Sequence, residues 1–326
     1  MLGSSVAFVF FAFLTLTLLC ILAPYHFNSY NAGTSLIIGW TSLGMLCEAI
    51  SCLIFMNATH VIVPSWCDLA AAVRYLWGTG AITGCLVLLR RLMIIAKSKE
   101  TNLSHKQRIT CFITELVIGI IIPLLQVLLH YIVQPHRLNE FKDIGCLVPI
   151  YPDILAVILV MVYPLIVTLI SATYGVLAVT SLMKRRRELR EIIRVHGSGL
   201  SKAQYFRLMF LGLSNVGIWL PLTLSFFFVQ LHTHVRAEYS WSYIHSKFHR
   251  ILFFTLNELP SSTYFIIELT RWMGPFSAGI FYLFFGIKAE VWDQLKKTIK
   301  DTFSKIKRGG KNNDAVSSNE MIVQQQ

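Results

Sequence analysis

The chain has 326 residues, of which 55% are hydrophobic and only 14% charged, with a mean hydropathy of +0.59. A soluble globular domain carries about a quarter of its residues as charges, so this composition excludes an ordinary soluble enzyme and points to an all-α membrane protein. The formal net charge of +12 does not make nucleic acid a partner. The basic residues cluster beside apolar runs, as loops near anionic lipid do, and no zinc-finger spacing, RNP-like motif or phosphate-binding glycine loop accompanies them.

In chain order, the apolar stretches 5–23, 34–56, 66–89, 109–133, 154–183, 208–231 and 262–286 read as spans. The third holds 24 residues, about 36 Å as a helix, against a bilayer core of about 30 Å. The first follows Met1-Leu2-Gly3-Ser4, which carries no basic side chain, and is longer than a signal-peptide core. It is therefore read as a span after a very short outer N-terminus. The segment 251–259 is apolar but too short to cross, and is expected as an outer lead-in to the seventh helix. These spans make 1–287 a seven-transmembrane helix bundle.

Orientation follows from the basic residues. Of the 29 Lys and Arg, 22 lie in 90–108, in 184–207 and from Lys288 onward, all on one side. Only five lie on the other side, namely Arg137, Lys142, Arg236, Lys247 and Arg250. The positive-inside rule then puts the N-terminus outside and the C-terminus inside. Beyond the last span, Val291, Trp292, Leu295, Ile299, Phe303 and Ile306 recur at helical spacing among lysines. This predicts a basic amphipathic helix over 288–308 on the inner membrane surface, followed by a disordered tail, 309–326.

Of the seven cysteines, five lie inside apolar runs, and only Cys67 and Cys146 fall at a span end or in a loop; the topology puts both outside. An oxidising secretory compartment favours a bridge between them; the alternative is two unpaired thiols. Within the spans, Glu48 and Arg74 each lie eight residues from an outer end, about 12 Å deep. They form either an ion pair at the floor of an outer cavity or two charges facing a hydrated crevice separately. Glu115 lies near the inner end of span four, where it can snorkel. Glu268 and Arg271 share a helical face and neutralise each other.

His232, His234, His245 and His249 gather in the third outer loop, but no aligned carboxylate or HExxH motif marks a metal site, and solvated loop histidines are the simpler reading. No catalytic cluster appears, so no cofactor or enzyme activity is expected. On the inner side Arg90, Arg91, Arg185, Arg186, Arg187, Arg190, Arg194 and Arg207 form either a lipid-facing topology signal or a docking surface for an intracellular protein. Pro164, Pro221 and Pro275 permit kinks in spans five to seven. Asn57-Ala58-Thr59 is an outer glycosylation sequon hugging the membrane, whereas Asn102-Leu103-Ser104 is expected inside and unused.

Several motifs occur in one order along 31–292: Asn31-Ala32-Gly33-Thr34 and Trp40; Pro64-Ser65-Trp66-Cys67-Asp68; Arg90-Arg91-Leu92; Tyr131-Ile132-Val133-Gln134-Pro135-His136-Arg137; Gly145-Cys146; Phe206-Arg207-Leu208-Met209; Arg271-Trp272; and Phe284-Phe285-Gly286. The chain in this respect resembles the fungal mating-pheromone receptors for lipidated, a-factor-type peptides, the class D seven-helix receptors. It departs from them where Pro24-Tyr25-His26 lacks a tryptophan, Glu48 replaces a usual asparagine and Ala72 a usual basic residue.

The resemblance implies a plasma-membrane G-protein-coupled receptor for a prenylated peptide pheromone, acting on the Gα subunit of a heterotrimeric G protein. Membrane lipids and a homodimer complete the partners to consider. Expected ligand contacts are Glu48, Asp68, Arg74, His130, Arg137, Glu268 and Arg271. Expected G-protein contacts are Arg90, Arg91, Arg185, Arg186, Arg187 and Arg207. The alternative function is a small-molecule transporter or channel using the intramembrane charges as a polar path. A lipid-modifying enzyme is a more distant third.

Overall fold

The computed structural model describes residues 2–28, 31–97, 105–184, 202–232, 239–255, 258–286 and 296. The long helices are α1 (Leu2–Asn28), α2 (Ala32–Ile54), α3 (Pro64–Lys97), α4 (His105–Ile132), α5 (Ile154–Lys184), α6 (Lys202–His232) and α7 (Ser261–Phe285). Among the described residues, α1 to α6 are each long and apolar enough to cross a membrane, so the chain is a multi-pass helical membrane protein. The 25-residue α7, which carries Glu268 and Arg271, packs against α1, α2 and α6 in the same bundle. The expected inner helix 288–308, apart from Lys296, and the tail 309–326 lie outside the described residues.

Local chemistry sets the helix starts. Asn31 caps α2, its side chain accepting the Thr34 N–H. Pro64 opens α3 at the position where a missing N–H costs nothing. Asp153 caps α5 by accepting the Ala156 N–H at 2.7 Å. Just inside α5, Val157–Val162 winds as a π-helix and ends immediately before Tyr163-Pro164. A wider turn relieves the clash between a proline ring and the carbonyl one turn back.

α3 is the hub. In its most apolar window 78% of residues are buried, against 22% for α4, so α3 runs through the bundle and α4 along its lipid-facing edge. Small residues let the neighbouring helices close on it, as membrane packing requires. A Cβ on Gly33 of α2 would stand 2.6 Å from the Leu88 backbone of α3.

One end of the bundle carries a three-stranded sheet in the order β2-β1-β3. Strand β1 (Leu138–Phe141) pairs antiparallel with β2 (Gly145–Leu147) and parallel with β3 (Ile251–Phe254). Segment 251–259, the expected lead-in to the seventh helix, thus begins as a strand that precedes α7 in the chain. A short apolar run does not distinguish strand from helix locally, and its partner lies more than a hundred residues earlier in the chain. The β1–β2 turn uses Asp143 and Gly145, both at positive φ (62° and 118°). It is fastened to the ends of α1 and α2: Asp143 donates its N–H to the Phe55 carbonyl at 3.0 Å, while its side chain and carbonyl accept from the Asn57 N–H and the Ser5 hydroxyl.

Candidate functional site

The sheet forms a lid because it is tied to α3 twice. Cys67 and Cys146 are disulfide-bonded, with Cα atoms 5.3 Å apart. One residue on, Asp68 accepts two hydrogen bonds from Arg137, from Nε at 3.0 Å and Nη2 at 2.5 Å. That fork geometry is the strong form of an Arg–carboxylate contact, and the carboxylate raises the Arg137 guanidinium above its ordinary pKa. Glu140, in the middle of β1, is fully buried against the disulfide, and its Oε2 accepts the Ile62 N–H at 3.1 Å. Burial pushes the Glu140 carboxyl up, opposed by that hydrogen bond and by His60. Cys67, Glu140 and Cys146 stand close enough together to suggest a metal site, but the two sulfurs are joined to each other and offer no thiolate.

Beneath the lid lie two adjoining chambers. The deeper, about 510 Å³, is walled by α2 to α7 with Leu147 of β2 above, and reaches Glu48, Arg74, Trp77 and Trp219. Arg74 Nε stands 3.6 Å from Glu48 Oε1, and the Trp77 indole N–H donates to the same oxygen at 3.1 Å. The two charges are therefore paired, with Trp77 as a third member one turn along α3. Sequence reasoning missed Trp77, although its spacing of three from Arg74 puts it on the same helical face. Met161 and Pro164, at the π-helical stretch of α5, line the same chamber.

The shallower chamber, about 310 Å³, is lined by Asp68, His130, Tyr131, Gln134, Arg137 and Phe248, among others. Tyr75 and Val148 border both chambers. Tyr75 is held in place by Gln126, whose Nε2 donates to its hydroxyl at 3.3 Å and whose Oε1 accepts from Thr79. The ring of His130, only 2% exposed, packs 4.5 Å from the Tyr75 ring. Only the fold shows that Tyr75 and Val148 stand between the two chambers and that Gln126 holds the Tyr75 hydroxyl.

Of the seven expected ligand contacts, Glu48 and Arg74 line the deep chamber, and Asp68, His130 and Arg137 the shallow one. Glu268 and Arg271 line neither. Arg271 is 1% exposed, donates to Glu268 at 3.0 Å and to Cys52 Sγ at 3.0 Å, and lies 4.1 Å from the centre of the Phe8 ring. Glu268 also accepts from the Trp272 indole at 3.1 Å. This pair binds α7 to α1 and α2.

At the opposite end of the bundle, Arg90 and Arg91 approach Glu115 of α4 at 3.9 and 3.4 Å. Glu115 is thus an ion-pair partner in addition to being near the helix end. Arg207 is partly buried on α6, and Arg185, Arg186 and Arg187 lie outside the described residues. In the loop before α7, both ring nitrogens of His245 face carbonyl oxygens, of Trp241 at 3.1 Å and Tyr131 at 3.2 Å, and its ring stacks on Trp241 at 3.8 Å. His245 is part of an aromatic cluster with no carboxylate beside it among the described residues.

The arrangement defines a multi-pass membrane protein with a lidded, largely apolar cavity that has a paired charge in its wall. The chain belongs to the STE3 family, the pheromone A receptors, whose model matches residues 7–305. It is 31% identical over 277 residues to the pheromone B alpha 1 receptor of Schizophyllum commune, covering 82% of this chain and 42% of that one. To pheromone receptor 2 of Mycosarcoma maydis it is 28% identical over 290 residues, 88% of this chain and 83% of the other. To the pheromone a factor receptor of Saccharomyces cerevisiae it is 22% identical over 240 residues, 72% and 51%. The chain thus spans less than half the length of the first relative and most of the second. Members of this family are receptors, not enzymes.

Proposed function

We propose that the protein is a plasma-membrane receptor for a prenylated peptide pheromone that activates a heterotrimeric G protein. In this reading α1 to α7 are seven spans, the sheet end is outside and the Arg90-Arg91 end inside. The observation that carries it is the pair of neighbouring chambers beneath the sheet, both walled mainly by apolar side chains and each holding an acid and an arginine, Glu48 with Arg74 in the deeper and Asp68 with Arg137 in the shallower, which suits a ligand that joins a lipid chain to a peptide. Burying a prenyl chain yields about 0.8 kcal/mol per methylene, and polar contacts in the shallow chamber then supply discrimination. Arg90, Arg91, Arg185, Arg186, Arg187 and Arg207 form the basic docking surface for the Gα subunit.

The test is reconstitution of the full chain in nanodiscs with a Gα subunit, challenged with prenylated and unprenylated versions of candidate pheromones. Prenylated peptides are expected to accelerate nucleotide exchange and the unprenylated forms to fall short. Equal inertness across a complete pheromone set overturns the reading.

A further inference from the structure

Three buried polar atoms without hydrogen-bond partners belong to residues around the deep chamber: Glu48 Oε2, Arg74 Nη2 and Trp219 Nε1. Their side chains come from three helices and form a contiguous group. Glu48 and Arg74 are paired through Oε1 and Nε, Trp77 donates to that same Oε1, and the Trp77 and Trp219 rings meet edge to face at 5.6 Å. The ion pair uses Oε1 and Nε and leaves Glu48 Oε2 and Arg74 Nη2 unpartnered, and the ring contact leaves the Trp219 indole N–H without an acceptor. Native proteins rarely leave buried polar atoms unsatisfied, and an exception points to a water, an ion or a bound group as the partner.

The chemistry of the three atoms specifies that occupant. Glu48 Oε2 accepts, Arg74 Nη2 and Trp219 Nε1 donate, and the rest of the chamber wall is dominated by apolar side chains such as Met161, Leu222, Phe226, Ile266 and Met273. A group offering one N–H and one or two carbonyl oxygens beside a long apolar chain satisfies all of them. A free carboxylate has no hydrogen for Glu48, and an unmodified alkyl chain has nothing for any of the three. We propose that the deep chamber receives the lipidated end of the ligand. An amide unit there donates to Glu48 and accepts from Arg74, Trp219 donates to a second carbonyl, and the prenyl chain lies among the apolar side chains. The peptide then passes Tyr75 and Val148 into the shallow chamber beside Asp68 and Arg137. This rests on the lipopeptide reading above and adds which end goes deep and what holds it.

The probe is N-acetyl-S-farnesylcysteine methyl ester, compared with its isosteric ester analogue in which oxygen replaces the amide N–H. Equilibrium binding of both is measured on the full chain in nanodiscs. The amide probe is expected to bind the unaltered chain about tenfold more tightly, the effect of one hydrogen bond to a charged group. Glu48→Gln keeps its oxygen on the Arg74 and Trp77 side, where Oε1 already meets both donors, and turns an NH2 donor to the Oε2 position, so the preference is expected to shrink or invert. If that variant does not fold, Trp219→Phe carries the test. It removes an unpartnered donor, and binding of both probes should weaken without a lower unfolding temperature in the unliganded chain. Equal affinity of the two probes for the unaltered chain overturns the inference. So does absence of saturable binding while a full prenylated pheromone still drives nucleotide exchange, a result that leaves the receptor reading standing. If neither the probe binds nor any pheromone drives exchange, both readings fall.

Discussion

Arg74 Nε on α3 lies 3.6 Å from Glu48 Oε1 on α2, and the pair is almost wholly buried, with 11% and 4% of the two side chains exposed. Desolvating a charge costs several kcal/mol, and only the partner offsets it. Replacing Arg74 with Met therefore strands a buried carboxylate, and a loss of about 3–5 kcal/mol is expected. The double variant Glu48→Met with Arg74→Met is expected to recover most of that stability while ligand response stays lost. Thermal unfolding of the purified chain, set beside nucleotide exchange, separates the two effects. A double variant no more stable than Arg74→Met alone would show that the two charges do not act as a pair.

The disulfide joins residues 79 apart in sequence, so its removal releases a long stretch of chain in the unfolded state. Cys67→Ser with Cys146→Ser is expected to cost about 2–4 kcal/mol. Reducing agent should lower the unfolding temperature of the unaltered chain and leave the double variant unmoved.

Glu140 supplies a pH dependence outside the spans. Burial raises its folded pKa above the ordinary glutamate value of 4.5. A carboxyl raised on folding contributes stability that is fully present below the unfolded pKa and is lost as pH rises through the folded one. The unaltered chain should therefore lose stability from about pH 4.5 upward. Glu140→Gln, which keeps an acceptor for the Ile62 N–H, should flatten that slope. Unfolding temperatures of the two proteins across this window test it, and parallel curves would rule out Glu140 as the source.

Gly33 sets the closest approach of α2 to α3. A Cβ there stands 2.6 Å from the Leu88 Cα and Cβ, and backbone does not yield as the tip of a side chain does. Gly33→Ala is expected to cost about 1–3 kcal/mol through overpacking. Gly39, with nothing within 4 Å of its added Cβ, is the control that should tolerate alanine.

At the other end, Glu115 is 6% exposed and holds two arginines that are only partly buried. With Arg90 44% exposed, solvent screens much of the interaction, and Glu115→Gln should cost no more than about 1 kcal/mol. Under the receptor reading it frees Arg90 and Arg91, and basal nucleotide exchange is expected to change more than stability does.

Much of the site was legible in the sequence one residue at a time. Glu48 and Arg74 stood out because a charge in hydrocarbon demands a reason. Cys67 and Cys146 stood out because apolar runs enclose the other five cysteines. Tyr75, Trp77, Gln126 and Trp219 gave no such signal, since an aromatic or amide side chain in an apolar helix is ordinary. Glu268 and Arg271 carried the same signal as Glu48 and Arg74 but serve the α1–α7 contact, because a charge demands a partner without saying which face it serves.

By itself, then, the sequence determined the helical membrane class, the long apolar helices, the cysteine pair and the distribution of basic residues. Each of these is a local property: hydrophobic length, burial preference or charge. The tertiary structure alone decided that Ile251–Phe254 pairs parallel with Leu138–Phe141, that Arg137 closes on Asp68, and that Tyr75 and Val148 border two neighbouring chambers. These relationships join segments far apart in the chain, and no period or spacing within either segment encodes the other. They exist only once the helices have packed around α3.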